Sequence, residues 1–269
     1  MATLSLSQRP RRGAWRVTRS VWFAMFMREA ISRTMSDRMG WFWMLFEPLA
    51  IIVVMVSMRG LFLSGSEIAG ADHVPWLVVG LMGFGLFREN MMRSLGAIEA
   101  NKGLFAYRQV KPVDTVLVRC FLEGALKSLL FLIFIGIGTL LDFDLMPARP
   151  LGVMLDWLSL WALGWGAGLT VSVLGDLVPE VARVVRILNL PLLLLSGVIL
   201  PVMFLPYPYS HYLLYNPIVH GLESMRMSFF DGYHTLNGID MTYLWFWALA
   251  LIALGLILHL RFAAKLKAQ

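Results

Sequence analysis

Residues 116–141 read VLVRCFLEGALKSLLFLIFIGIGTLL, an apolar run that carries charges only in its first half. The run is longer than the roughly 20 apolar residues that a helix needs to cross about 30 Å of hydrocarbon. Its three charged residues, Arg119, Glu123 and Lys127, are four positions apart and therefore fall on one helix face. The pattern predicts a membrane-spanning helix whose charged stripe faces protein or water, because lipid does not solvate such groups.

The composition of the whole 269-residue chain agrees with this prediction. Hydrophobic residues make up 58% of it and charged residues 15%, and the mean hydropathy is +0.70. Soluble domains are about 45–50% apolar and about 25% charged. The single cysteine, Cys120, excludes an internal disulfide framework. The chain is therefore predicted to be an all-α integral membrane protein.

Hydropathy predicts six spans, and charge predicts their direction. The spans are residues 41–63, 74–95, 116–141, 155–174, 184–205 and 243–262. With the N-terminus inside, seventeen basic residues fall on the inner side and three on the outer side. The positive-inside rule then places both termini in the cytoplasm. The chain forms one domain, residues 1–269, with a cytoplasmic N-terminus at 1–40, six spans within 41–262 and a cytoplasmic tail at 263–269.

Two segments outside the spans have distinctive patterns. Residues 15–35 place Trp15, Trp22 and Phe26 on one helical stripe among arginines, which predicts an amphipathic helix in the cytoplasmic membrane interface. Residues 206–240 are apolar but interrupted by prolines. We expect them to form short re-entrant helices that act as an outer gate between spans five and six, with their irregular backbone buried by protein.

The second span changes from apolar to charged at Arg88. A structural charge ladder is the preferred interpretation: the stripe on the third span would pair along its own helix and against the second span. Contact with a passing polymer is the alternative. The residues of the predicted ladder are Glu89, Arg93, Arg119, Glu123 and Lys127.

Several kinds of chemistry have no pattern in the chain. It lacks a GxxxxGK[ST] phosphate-binding loop, and its histidines and one cysteine show no zinc-site spacing. Nothing in it indicates a catalytic residue, a cofactor or nucleic-acid binding. The inner loop 97–114 instead mixes aromatic and charged residues, which favours a docking loop for a partner protein over a plain connector.

At this loop the sequence resembles a known family. Residues 94–119, SLGAIEANKGLFAYRQVKPVDTVLVR, closely resemble the same loop in the permease of capsular-polysaccharide ABC exporters. The order Arg28-Glu29, Arg33, Arg38, Gly40, Trp43, Glu47-Pro48 is similar to the family's N-terminal pattern, and LLYNPIVHGLE at 213–223 is similar to its outer region. The resemblance covers nearly all of the chain after residue 20. It departs at Trp41, where the family usually has Tyr, and at Thr34-Met35, where Phe-Gly is usual.

The resemblance implies a six-helix half-transporter of the ABC-2 type in the bacterial inner membrane. It implies a homodimer with two copies of a separate ABC ATPase, which would bind the ATP and Mg²⁺ because this chain has no nucleotide-binding motif. The implied cargo is a lipid-linked acidic polysaccharide that periplasmic co-polymerase-type and outer-membrane export proteins receive. The dimer interface would form a wet channel from the first and fifth spans, since buried charge is costly in hydrocarbon.

The site residues follow from these expectations. For the translocation path they are Arg28, Arg33, Arg38, Trp41, Trp43, Glu47, Arg59, Tyr209, Tyr212 and Tyr215. For coupling to the ATPase they are Glu99, Asn101, Lys102, Leu104, Phe105, Tyr107 and Arg108. An ordinary aromatic belt explains Trp41 and Trp43 equally well.

Other functions stay open at this stage. The cargo could be another lipid-linked glycan, such as an O-antigen or a teichoic acid. The chain could instead be a membrane-embedded glycan or lipid transferase, although no catalytic acid or base is evident. A gated channel is a third option, and no ring-forming selectivity motif supports it.

Overall fold

Ten α-helices account for most of the described chain. The structure is a computed structural model and describes residues 14–35, 39–62 and 67–268. The helices are α1 (Ala14–Met35), α2 (Gly40–Phe62), α3 (His73–Ser94), α4 (Pro112–Leu140), α5 (Pro150–Leu177), α6 (Pro179–Leu195), α7 (Tyr209–Leu213), α8 (Pro217–Phe229), α9 (Met241–Arg261) and α10 (Ala263–Ala268). Two 3₁₀ helices, Glu99–Ala106 and Val202–Phe204, and one short hairpin, β1 (Glu67–Ile68) with β2 (Ala71–Asp72), complete the described elements.

Helix α5 is the centre of the bundle and packs against α3, α4, α6, α8 and α9. Close approach of α5 to α3 depends on the small residues Gly164 and Gly168. A Cβ at Gly164 would lie 3.2 Å from the Phe87 Cα, and one at Gly168 would lie 3.0 Å from the Asn90 carbonyl oxygen. The GxxxG spacing of these glycines therefore serves helix packing, as such motifs do in membrane helices.

Each predicted span contains a helix. Three described helices are long and apolar enough to cross a membrane: Pro112–Leu140, Pro150–Leu177 and Met241–Arg261. Helix α2 has a shorter apolar part, Leu45–Ser57, and α6 has 17 residues. The second half of α3 carries Arg88, Glu89 and Arg93. The fold is thus that of a multi-pass helical membrane protein, and the count of six spans stays a prediction.

The predicted end of the fifth span is wrong. Helix α6 stops at Leu195, ten residues before the expected boundary at 205. Gly197 has a positive φ of 69°, a conformation that glycine adopts without steric cost, and Pro201 adopts an extended conformation. The chain therefore turns at residue 196. Residues 196–240, called the outer segment below after their predicted side of the membrane, start earlier than the predicted residue 206.

The outer segment places one helix inside the protein and one on its surface. Helix α8 is buried along most of its length and packs against α3, α5 and α9. Asn216 begins α8 by accepting a hydrogen bond from the Ile218 backbone N–H at 3.1 Å. The shorter α7 exposes its tyrosines. A re-entrant position of these helices in a membrane stays a prediction.

Candidate functional site: the inner loop and its charged surroundings

The loop between α3 and α4 is a short 3₁₀ helix held in place by one buried amide. Asn101 is 3% exposed, and its side-chain amide donates to the Ala97 carbonyl at 2.7 Å. Its side-chain oxygen accepts a hydrogen bond from the Arg28 guanidinium of α1. The Asp114 carboxylate closes the loop at the start of α4 by accepting from the Lys111 backbone N–H at 3.0 Å. The loop is therefore fastened to α1 through Asn101 and to the start of α4 through Asp114.

Some of the loop residues that were expected to dock a partner are buried, and others are exposed. Phe105 is 8% exposed and packs in a small core under the loop. Tyr107 is 66% exposed, and Glu99 and Arg108 are exposed as well. Asn101 and Phe105 thus stabilise the loop from inside, and their predicted role in coupling to the ATPase stays a prediction. Lys102 and Leu104 are half-buried.

Helix α1 is joined to α4 by polar contacts along its length. The Trp22 indole N–H donates to the Asp114 carboxylate at 3.1 Å. Glu29 pairs with Arg119 at 2.7 Å, and both side chains are less than a fifth exposed. The predicted N-terminal helix is confirmed as a helix, and it lies on α4. Its place in the membrane interface stays a prediction.

The charged residues of α4 pair with other helices and not along α4. Glu123 forms an ion pair with Arg33 of α1 at 3.1 Å, accepts a hydrogen bond from the same guanidinium at 3.4 Å, and lies 3.8 Å from Arg93 of α3. Within α3, Glu89 pairs with Arg93 at 3.3 Å and with Arg88 at 2.7 Å.

The predicted contact of the ladder with the second span is present, through Glu123 and Arg93, whereas the ion pairs expected along α4 itself do not form among the described residues. Arg119 turns towards Glu29, and Lys127 has no ion pair within 4 Å among the described residues. The pairs of Glu123 with Arg33 and Arg93, and of Glu29 with Arg119, neutralise charges between elements and fix α1, α3 and α4 relative to one another.

Comparison with known proteins identifies the family. Residues 20–230 match the family described as the ABC-2 type transporter. The chain belongs to the ABC-2 type transporter family. It is 33% identical over 236 residues to the polysialic acid transport protein KpsM of Escherichia coli, covering 88% of this chain and 91% of the relative.

Two further relatives of this ABC-2 type transporter are capsule proteins by name. The chain is 28% identical to the capsule polysaccharide export inner-membrane protein CtrC of Neisseria meningitidis. It is 27% identical to BexB of Haemophilus influenzae, which carries the same description. Each match covers 91% of this chain and 92% of the relative. With its apolar helices, the chain is a multi-pass inner-membrane protein of this transporter family.

The residues predicted for the translocation path of this ABC-2 type transporter differ in their exposure and in their contacts. Glu47 is 61% exposed and accepts a hydrogen bond from Arg88 at 3.4 Å. Trp43 is exposed and lies edge-on to Phe46, with ring centroids 5.7 Å apart. Arg28 and Arg33, in contrast, are engaged by Asn101 and Glu123.

The remaining predicted path residues lie near the ends of α2 and on the outer segment. Tyr209, Tyr212 and Tyr215 are all exposed and lie on α7 and the turn after it. Arg38 lies outside the described residues. Trp41 and Arg59 belong to α2, but their side chains lie outside the described part of the chain.

Sequence reasoning missed one buried polar cluster around α8. Arg226 and Glu223, on α8, are 0% and 1% exposed and pair at 2.7 Å. The Arg226 guanidinium also donates to the Gly197 carbonyl at 2.8 Å and lies 3.6 Å from the centroid of Trp76. Tyr233 donates to Glu223 at 2.9 Å, and burial raises the pKa of this phenol. The sequence signal that could have revealed this cluster is a pair of opposite charges three positions apart within an apolar helix.

Arg226 is a structural centre of the outer segment. It holds together α8, the turn after α6 and the start of α3. Space for its guanidinium depends on Gly80, where a Cβ would lie 2.3 Å from an Arg226 nitrogen. In the described part of the chain, no three His, Cys, Asp or Glu residues come together as a metal site.

Proposed function

We propose that this chain is the permease subunit of an ATP-driven exporter that moves capsular polysaccharide across the inner membrane. The observation that carries the proposal is the inner loop, which is fastened to α1 and α4 and presents an exposed edge of Glu99, Tyr107 and Arg108. A rigid loop with an aromatic and charged edge suits a partner that pushes on it. The names of the relatives support the polysaccharide as cargo.

In this proposal a separate ABC ATPase binds the exposed edge of the loop and supplies the ATP and Mg²⁺. Closure of two ATPase copies moves two loops. The loop transmits the movement to α4 directly and to α1 through the Arg28–Asn101 contact. The ion pairs of Glu29 and Glu123 pass this movement on to the charged residues between α1, α3 and α4.

The proposal includes a homodimer with its channel between α2 and α6 of the two copies. Helix α6 contributes no buried residue in the described chain, and α2 exposes apolar residues such as Val53 and Val54. A second copy would cover these faces, as obligate apolar interfaces are covered. Trp43 and Glu47 would lie at the entrance, and the α7 tyrosines would line the exit to periplasmic and outer-membrane export proteins.

Lipid-linked acidic polymer requires such a channel because each charge is costly in hydrocarbon. Sugar rings offer hydroxyl groups and C–H faces, which aromatic and polar side chains contact together. Both termini would lie in the cytoplasm, consistent with the distribution of basic residues.

Copurification tests the proposal. The chain is expressed with a candidate partner ABC ATPase, purified in lipid, and assayed for ATP hydrolysis with and without lipid-terminated polymer. We expect stable copurification and faster hydrolysis with polymer. The Tyr107→Ala variant should reduce the amount of copurified ATPase about tenfold. Tyr207→Ala, at an outer tyrosine that is 84% exposed, should leave this amount unchanged.

Phe105→Ala separates loop folding from docking. Because Phe105 is buried, this variant should lower thermal stability, which Tyr107→Ala should leave unchanged. The proposal is wrong if no ATPase copurifies with the wild-type chain, or if polymer leaves its hydrolysis unchanged.

A further inference from the structure

An apolar groove lies between the N-terminal half of α1 and the first turns of α4. It has a volume of about 810 Å³, within the range of about 300–1,000 Å³ that is typical of sites for small molecules. Its walls include Trp15, Trp22 and Phe23 of α1, Leu117 and Phe121 of α4, and Trp165 of α5. Trp15 is 80% exposed and Phe23 is 65% exposed, so the residues that the structure describes do not fill the groove.

The arginines of α1 divide into two groups. Arg28 and Arg33, in the C-terminal half, contact Asn101 and Glu123. Arg16 and Arg19, in the N-terminal half, are exposed and have no ion pair among the residues that the structure describes. Arg19 lines the groove. The groove therefore combines long apolar walls with an unpaired cation at its edge.

This combination selects a ligand with an apolar chain and an anionic group at one end. A guanidinium binds phosphate oxygens through two parallel N–H donors. Tryptophan rings favour the depth of lipid headgroups, where an apolar face meets polar surroundings. An anionic phospholipid of the bilayer has both parts, an acyl chain and a phosphate at one end of it.

We propose that the groove is a binding site for an anionic phospholipid, with an acyl chain between α1 and α4 and the phosphate on Arg19. The site rests on the proposed cytoplasmic position of α1, where basic residues are attracted to anionic lipids. Trp22 is shared by the groove and by the hydrogen bond to Asp114 at the start of α4. A bound lipid would thus complete the packing of α1 beside the inner loop.

Native mass spectrometry of the full chain tests this site. The detergent-purified protein is titrated with phosphatidylglycerol and with phosphatidylcholine of the same acyl chains, and the population of each bound state is measured. We expect phosphatidylglycerol to bind more tightly. Arg19→Gln should weaken phosphatidylglycerol binding about fivefold, as expected for the loss of one basic residue at an anionic lipid surface, and should leave phosphatidylcholine binding unchanged.

Two further variants separate the headgroup from the acyl chain. Phe23→Ala removes an exposed groove wall without disturbing the core, so it should weaken both lipids by a similar factor. Arg186→Gln, at an exposed arginine of α6 away from the groove, should weaken neither. Glycerol phosphate at millimolar concentration should not displace the bound lipid, because it lacks the acyl chain.

Equal affinity for the two lipids overturns the proposal, as does an Arg19→Gln variant that binds phosphatidylglycerol like the wild type. Displacement by glycerol phosphate overturns the role of the groove walls. The measurement needs no ATPase and no polymer, so its failure is distinguishable from failure of the exporter function.

Discussion

Replacement of Glu223 by alanine is the most informative test of the outer segment. The change would remove the only carboxylate that pairs with Arg226 among the described residues, and both side chains are at most 1% exposed. Arg226 would keep the Gly197 carbonyl, at 2.8 Å, and its position over Trp76, but its charge would be uncompensated. Tyr233 would also lose its acceptor.

The expected cost follows from the burial of this pair. Removal of one partner of a buried ion pair costs about 3–5 kcal/mol. For a chain of this size, about 2–4 °C of Tm corresponds to 1 kcal/mol, so Glu223→Ala should lower Tm by about 6–20 °C. Glu223→Gln keeps the shape and some hydrogen bonds, and should lose about half as much.

Thermal unfolding of the detergent-purified protein, followed by tryptophan fluorescence, measures these shifts. Glu180→Ala is the matched control, because Glu180 is an exposed glutamate in the first turn of α6. It should change Tm by less than about 2 °C. If Glu223→Ala shifts Tm no more than Glu180→Ala does, the buried pair does not hold the outer segment together.

Three other variants test contacts elsewhere in the protein. Glu123→Arg should abolish the stimulation of ATP hydrolysis by polymer, and the added change Arg33→Glu should restore part of this stimulation. A double variant without any restored stimulation would exclude direct pairing of the two residues. Gly124→Ala places a Cβ about 2.0 Å from an indole ring and should cost about 1–3 kcal/mol, whereas Gly136→Ala meets open space and should be neutral in the same unfolding assay. Asn216→Ala removes the cap of α8 and should cost about 1 kcal/mol of unfolding free energy, and an unchanged Tm would show that the cap is dispensable.

Long apolar runs made the helices predictable from sequence. The run at 116–141 lies within α4 except for its last residue, and the run at 243–262 differs from α9 by two residues at its start and one at its end. The end of the fifth span was misplaced because seven apolar residues between 198 and 205 continue the pattern while Gly197 turns the backbone. Hydropathy does not encode a turn whose carbonyls are held by Arg226 of a distant helix.

The candidate site was predictable as a set of residues but not as a set of contacts. The inner loop and its charged neighbours stand out in the sequence, yet Glu123 pairs with Arg33, ninety positions away, and not with its helical neighbours. The spacing along one helix shows which side chains share a face, whereas the ion pairs that they form depend on the helix that packs on this face. The burial of Phe105 beside the exposed Tyr107 was likewise fixed by packing.

The location of capsular polysaccharide in a strain that lacks this chain tests its proposed role most directly. Polymer is quantified separately at the cell surface and inside the cell, in the deletion strain and after complementation. If the chain is an exporter permease, the deletion strain should hold polymer inside the cell and none at its surface. Complementation should restore the surface polymer. Normal surface polymer in the deletion strain would contradict export by this chain, and loss of polymer from both locations would indicate a role in synthesis.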